Sequence, residues 1–270
     1  NKKTIGNEAI YDARVLGAPR MLVLGFQHMF AMFGATVLVP TLTGLSVSAT
    51  LLFAGLGTLL FHLLAKGKVP AFLGSSFVFL AGYFAIAPNG ERELLPYACF
   101  GVMIAGLLYL VLAAFFKAFG MKKVMRFFPP IVTGPIIIAI GLSLSGSAIT
   151  NCSANWGIAI VAILIVIGFN IWGKGMMKII PILLGVVGSY LVAAVTGNVD
   201  FSAVKEAAWI GIPFQMQDTV FGLFSGDVDT SLLLTAVITI APLSLATMTE
   251  HIGDMCAISS TCERNYIEDP

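Results

Sequence analysis

The chain has 270 residues, a formal net charge of +1, 58% hydrophobic residues and only 11% charged ones, against roughly a quarter charged in soluble globular chains. With a mean hydropathy of +0.94, that composition excludes a soluble domain and indicates an all-α polytopic membrane protein. The basic residues are dispersed among short loops without an aromatic–basic patch, so no nucleic-acid partner is expected. The four cysteines, Cys99, Cys152, Cys256 and Cys262, lack CxxC or CxxH spacing, so neither a disulfide framework nor a metal or other cofactor is expected.

Residues 1–20 are polar and carry Glu8 and Asp12, unlike a cleavable signal peptide. The chain opens without Met and stops at Asp269-Pro270 just after a long apolar element, which reads as a C-terminally truncated fragment. Between these ends, apolar segments at 21–41, 49–65, 71–87, 95–116, 127–149, 156–173, 179–196 and 231–258 give eight candidate spans. In the first, Gln27 and His28 need hydrogen-bond partners among apolar neighbours. His28 has two readings of equal weight, a tie to a neighbouring backbone and direct contact with a solute. Gly34, Ala35 and Thr36 follow at positions where small residues allow close approach.

The third segment opens Pro70-Ala71-Phe72-Leu73-Gly74-Ser75-Ser76, poor material for an uninterrupted helix. Ser75 or Ser76 is suited to capping a helix that begins near Phe77. Such a helix starts halfway through the bilayer and points its N–H groups at whatever occupies the middle. Phe77 there is either a ring face for a planar ligand or one packing phenylalanine among twenty. The fifth segment, with Pro129, Pro130, Pro135, Gly134 and Gly141, suggests a kinked helix. The connection 197–230 carries Trp209, Pro213, Phe214, Phe221 and Phe224 between acidic residues, the pattern of an external interfacial segment.

Loop charges give an orientation. Thirteen of the fifteen Lys and Arg fall on alternate loops of one side, leaving Arg92 and Lys205 for the other, so the N-terminus is expected in the cytoplasm. Twelve of the fourteen acidic residues lie in tails or loops; the exceptions are Glu250 and Asp254, in the second half of the last span beside His251. Four apart, the two carboxyls share one helix face. A carboxylate at membrane depth costs roughly 2.5–3.5 kcal/mol on insertion scales, which a protein interior or watered cavity offsets. No Lys or Arg sits inside a span to neutralise them. An intramembrane site for a polar solute or a proton is therefore expected; the plainer reading is a helix end emerging into headgroup water. One carboxyl pair on one helix supports an ion channel poorly, a structural membrane subunit would need no such pair, and no nucleophile–base set points to an enzyme.

Four motifs in order, QHMFAMFGATVLVP (27–40), KGKVPAFLGSSFVF (66–79), FFPPIVTGPIIIAIGLSL (127–144) and TEHIGDM (249–255), resemble the nucleobase–cation symporter 2 family, also called nucleobase–ascorbate transporters. The resemblance covers the whole chain and is nearest the family's bacterial uracil-carrying branch. It implies fourteen spans in two inverted seven-span repeats, a core and a gate domain, and a homodimer at full length in the bacterial cytoplasmic membrane. In this numbering it implies a cytoplasmic segment at 1–20, core spans 1–4 at 21–117, gate spans 5–7 at 118–196, the external connection at 197–230, core span 8 at 231–262 and a cytoplasmic end at 263–270. It also implies a short β-strand near 71–75 in the broken third span. By motif position Glu250 matches the glutamate that hydrogen-bonds the base, Phe77 the aromatic beside it, Ala35 a small pocket residue, and Gln27-His28 the first-helix pair. Asp254, His28, Gln27 and His251 make up the proton-linked polar network of the expected symport. A second base-binding glutamate is expected in a tenth span beyond this chain. Aspartate at 254 departs from the histidine of uracil carriers and is common in purine-transporting relatives, so uracil is the first expected substrate and xanthine or another purine base the second.

Overall fold

A computed structural model describes residues 13–174, 176–179, 181–206 and 211–266. Glu8, Asp12 and Trp209 lie outside the described residues, as does the side chain of Gln27. The described residues are helical with irregular connections and form no strand. The main helices are α1 (Ala18–Ala31), α2 (Phe33–Thr43), α3 (Val47–Leu64), α4 (Leu80–Ile86), α5 (Leu95–Phe119), α6 (Pro130–Ser143), α7 (Ser145–Ser153), α8 (Trp156–Trp172), α9 (Pro181–Val195), α10 (Thr230–Ile240) and α11 (Ser244–Thr261). Single turns at Met121–Val124, Met176–Ile179 and Ser202–Glu206 lie between them.

Four helical runs among the described residues are long and apolar enough to cross a membrane: Val47–Leu64, Leu95–Phe119, Gly134–Ser153 and Thr230–Thr261. Shorter apolar helices occupy Gly34–Thr43, Phe77–Ile86, Trp156–Trp172 and Pro181–Val195. Each of the eight apolar segments of the sequence thus carries an apolar helix, but only half of them reach spanning length, and two of those four, the fifth and the last, are themselves interrupted. The interruptions have local causes. At Ala241–Leu243 the last run narrows to a 3₁₀ turn around Pro242, which has no N–H to continue the ladder. The first segment divides at Met32, between α1 and α2, and the fifth at Leu144, just beyond Gly141. Large side chains stand exposed on these helices, Leu63 at 74% and Leu110 at 67% for example, as lipid-facing surfaces do.

The expected strand at 71–75 does not form. A strand needs a partner for its N–H and C=O groups; here the hydroxyl of Thr58, one helix back on α3, accepts the Leu73 N–H at 3.1 Å and lies 3.1 Å from the Leu73 carbonyl. Residues 70–76 remain irregular backbone supported by a side chain, which is how non-helical chain is tolerated at membrane depth. As expected, Ser76 caps the next turn: its Oγ accepts the Val78 N–H at 3.3 Å, a 3₁₀ turn runs over Phe77–Phe79, and α4 continues it.

The chain divides into two compact units, one of 1–17, 34–140 and 213–270, the other of 18–33 and 141–212. In the second, α8 and α9 pack along each other, brought close by small residues. A Cβ on Gly185 would overlap Val166 Cγ2, and one on Gly188 would come within 2.6 Å of Ile165 Cδ1. In the first, a core of Tyr83, Ile86, Leu95, Tyr97, Ala98, Leu223, Ala236 and Ile240 joins α4, α5, α10 and the 3₁₀ turn Val220–Ser225. Ile240 is fully buried at its centre. A Cβ on Gly82 would lie 2.7 Å from Ile240 Cγ1, and one on Gly101 2.8 Å from the Ala236 carbonyl oxygen, so α4 closes on a side chain of α10 and α5 on its backbone. Outside that core, Asp229 accepts the Ser231 and Leu232 N–H groups at the start of α10, while its own N–H reaches Tyr97 Oη at 2.9 Å.

Candidate functional site

The turn at Ser76 and the middle of α11 meet. Ser76 Oγ donates to Glu250 Oε2 at 3.2 Å while accepting the Val78 N–H. One hydroxyl therefore ties the start of the broken third segment to the intramembrane carboxylate, whose charge lies at the N-terminal, partially positive end of Phe77–Ile86. Glu250 is half-buried. One turn back, Thr247 is buried and donates to the Ser244 carbonyl at 3.0 Å. Tyr109, on α5, donates to Thr247 Oγ1 at 2.9 Å and lies 2.8 Å from His251 Nδ1, with the two rings 5.5 Å apart.

Of these groups Ser76, Tyr109, Thr247 and His251 line a cavity of about 400 Å³ between α2, α3, the broken segment, α5 and α11, while Glu250 is tied to its wall through Ser76 without forming part of it. The volume is within the usual size range of small-molecule sites. Its polar wall consists of Thr50, Ser75, Ser76, Tyr83, Tyr109, Thr247, His251 and Asp218; Val39, Leu45, Phe53, Phe79 and Val102 supply apolar surface. Asp218 arrives from the long connection, where it takes the Gln215 N–H at 2.9 Å and pairs with Arg92 at 3.6 Å. A larger cavity, about 790 Å³, lies among α5, residues 123–128 and α11. Apart from Lys123, Arg126 and Ser244 its lining is apolar, so it offers a flat, hydrogen-bonding solute little to recognise.

Of the residues that the sequence marks for the site, Glu250 and Ser76 meet directly, and His251 lines the 400 Å³ cavity. Phe77 and Ala35 are half-buried beside it without forming its wall; Phe79, two residues on, is the ring that does. Ala35 is adjacent to Thr36, which is fully buried and would stand 3.0 Å from a Cβ on Gly74. Asp254 is exposed one turn beyond Glu250. His28 is exposed on α1, in the other compact unit, and the Gln27 side chain lies outside the described residues. Tyr109 and Thr247 are additions that the structure makes to the site. Thr247 precedes Glu250 by three and His251 by four residues, the helical spacing that puts all three on one side of α11. Tyr109, a hydroxyl-bearing ring in a 25-residue apolar helix, is open to the same reading.

The hydroxyls around this cavity are of the kind that hydrogen-bond a polar solute, and the chain itself has known relatives. Residues 19–270 match the Xan_ur_permease profile, described as the Permease family. The chain belongs to that family. It is the one that the four sequence motifs resemble, and with the apolar helices it makes this a multi-pass membrane protein. Among curated relatives, the chain is 38% identical over 97% of its length to the uracil permease of Bacillus caldolyticus, 35% identical over 90% to that of Bacillus subtilis, and 33% identical over 92% to that of Escherichia coli K12. It spans 60%, 57% and 56% of those relatives' own lengths.

Proposed function

We propose that this Permease-family chain carries the recognition half of a secondary transporter that takes up a nucleobase, uracil first, by proton symport across the bacterial cytoplasmic membrane. The observation that carries the reading is the Ser76–Glu250 bond, which joins a helix start inside the membrane to a carboxyl beside a cavity of solute size. Uracil is flat and neutral, with N–H donors and C=O acceptors around one ring. A carboxylate accepts such N–H groups in bonds about twice as strong as neutral ones, and a protonated carboxyl donates to a ring carbonyl instead. Glu250 therefore binds the base and responds to the proton; Phe77 and Phe79 flank the ring, and Ala35 leaves room for it. Asp254, His28, Gln27 and His251 form the surrounding proton-linked network. The relatives named uracil permease support the substrate, and the thirteen-to-two split of basic residues supports a cytoplasmic N-terminus.

At full length the protein has fourteen spans in two inverted repeats, works as a homodimer, and moves its substrate by rocking the core spans (21–117 and 231–262) against the gate spans (118–196). Glu250→Gln in the full-length protein is expected to abolish concentrative uracil uptake in proteoliposomes with an imposed proton gradient; undiminished accumulation removes Glu250 from the mechanism. Xanthine is the second substrate reading, and Asp254 is what favours it. Asp254→His is expected to raise the preference for uracil over xanthine in competition uptake, and an unchanged ratio makes Asp254 structural.

A further inference from the structure

The contacts that end on His251 have a direction, and the direction fixes a tautomer. Thr247 Oγ1 donates to the Ser244 carbonyl at 3.0 Å, Tyr109 Oη is 2.9 Å from Thr247 Oγ1, and His251 Nδ1 is 2.8 Å from Tyr109 Oη. A hydroxyl has one hydrogen to give, and a carbonyl only accepts. Thr247 spends its hydrogen on the Ser244 carbonyl, so Tyr109 is the donor to Thr247. The phenol's hydrogen is then committed, and its oxygen has only a lone pair left for the imidazole. Nδ1 must therefore carry the proton, and in neutral imidazole the other nitrogen, Nε2, is a bare acceptor. The tilted ring pair, 5.5 Å between centroids at 43°, restrains the imidazole plane as well.

We infer that Tyr109 is a positioning residue for solute recognition. Through its bond to Thr247 it holds neutral His251 as the Nδ1–H tautomer, and so presents the Nε2 lone pair to a ring N–H of a planar solute in the 400 Å³ cavity that His251 lines. His251 also borders a cavity of about 230 Å³ whose other walls are Tyr109 and apolar side chains, where a bare nitrogen would meet no donor. With Glu250, held at the edge of the cavity by Ser76, as one acceptor and His251 Nε2 as the other, the site selects a ring that offers two N–H groups and disfavours one in which either is methylated or is itself an acceptor. The recognition half of this inference rests on the nucleobase reading; the tautomer half does not.

The test has two readouts on the full-length protein in lipid bilayers. Solid-state ¹⁵N spectra of histidine-labelled protein, taken where the ring is neutral, report which nitrogen is protonated, and the signal lost in His251→Gln belongs to His251. Wild type is expected to show protonated Nδ1 and bare Nε2, and Tyr109→Phe to shift the population to Nε2–H. A wild-type Nε2–H signal overturns the assignment, whether or not the variant folds. In uptake, Tyr109→Phe is expected to raise KM for uracil about three- to tenfold, the worth of one neutral hydrogen bond, with little change in Vmax. The wild-type discrimination between uracil and its N1- or N3-methyl derivative should shrink by the same factor. Unchanged KM and discrimination alongside the expected spectra overturn the recognition half alone. If wild-type protein transports no nucleobase, the proposed function fails with that half, and the spectra still decide the tautomer.

Discussion

Ser76 does two jobs with one hydroxyl, accepting from Val78 to start a helix and donating to Glu250 to orient the carboxyl. A capping contact is worth about 1 kcal/mol and a bond to a charged group about 1.5–3 kcal/mol. Ser76→Ala is therefore expected to lower the apparent melting midpoint in detergent and to weaken base binding roughly tenfold, measured by equilibrium binding of labelled uracil, with Ser76→Thr restoring most of both. Equal binding by the alanine variant would show that the bond does not hold the carboxyl in its working geometry. Glu250 and the cap at Ser76 are legible in the sequence because each violates its surroundings: a carboxyl among apolar residues, and a Pro–Gly–Ser run where a helix should be. Tyr109 does not stand out in that way. A tyrosine is at home in a membrane helix, and only the partners on α11, 138 and 142 positions away, make its hydroxyl part of a relay. The choice between Phe77 and Phe79 is equally hidden, since it depends on the phase of a 3₁₀ turn that alternation and helical period do not set.

The same distinction between local and distant causes holds for elements. Breaks at Pro70–Ser76 and Pro242 follow from residues lacking an N–H or a Cβ, whereas the strand expected at 71–75 required a neighbour, and Thr58 took its place. Packing at α4, α5 and α10 is set by glycines whose spacing says little until the partner is known. Gly82→Ala and Gly101→Ala are each expected to cost about 1–3 kcal/mol through overpacking, read as a lower apparent melting midpoint. Their second-site behaviour differs. The nearest neighbours of a Cβ at 82 are side-chain atoms of Ile240 and Leu243, Ile240 Cγ1 first, so Ile240→Ala should remove most of the added penalty there. At 101 the nearest neighbour is the Ala236 carbonyl oxygen, which no side-chain change moves, so the penalty should persist. At the start of α10, bonds from the Leu232 and Ser231 N–H groups hold the Asp229 carboxyl below its usual range. A pKa depressed on folding adds stability that is full above the unfolded value and lost as pH falls through the folded one. Asp229→Asn, which cannot titrate, should therefore flatten the acid limb of a melting-midpoint-against-pH curve, and an unaltered limb would remove this cap from the acid response.

At the scale of the molecule, the sequence announces the solvent most clearly. An 11% charged chain whose helices expose leucine and isoleucine to their surroundings has a bilayer around it, and its basic residues crowd into alternate loops. That division is what sets orientation, because Lys and Arg near span ends resist translocation while acidic residues contribute little. Arg92 belongs to the sparse side, and its pairing with Asp218 ties the α4–α5 connection to the long segment before α10, which places both on one face of their unit. Lys122 belongs to the crowded side, in the turn after α5. The proposed orientation then has a direct consequence for labelling. With the four native cysteines replaced, Glu93→Cys in the α4–α5 connection should react with an impermeant maleimide on intact cells, and Lys122→Cys only after the membrane is opened. Losing one lysine leaves the basic residues split twelve to two, so the second substitution does not itself argue for reversal. Labelling of residue 122 and protection of residue 93 in intact cells would invert the topology, and with it the direction of the uptake proposed for the base and proton at Glu250.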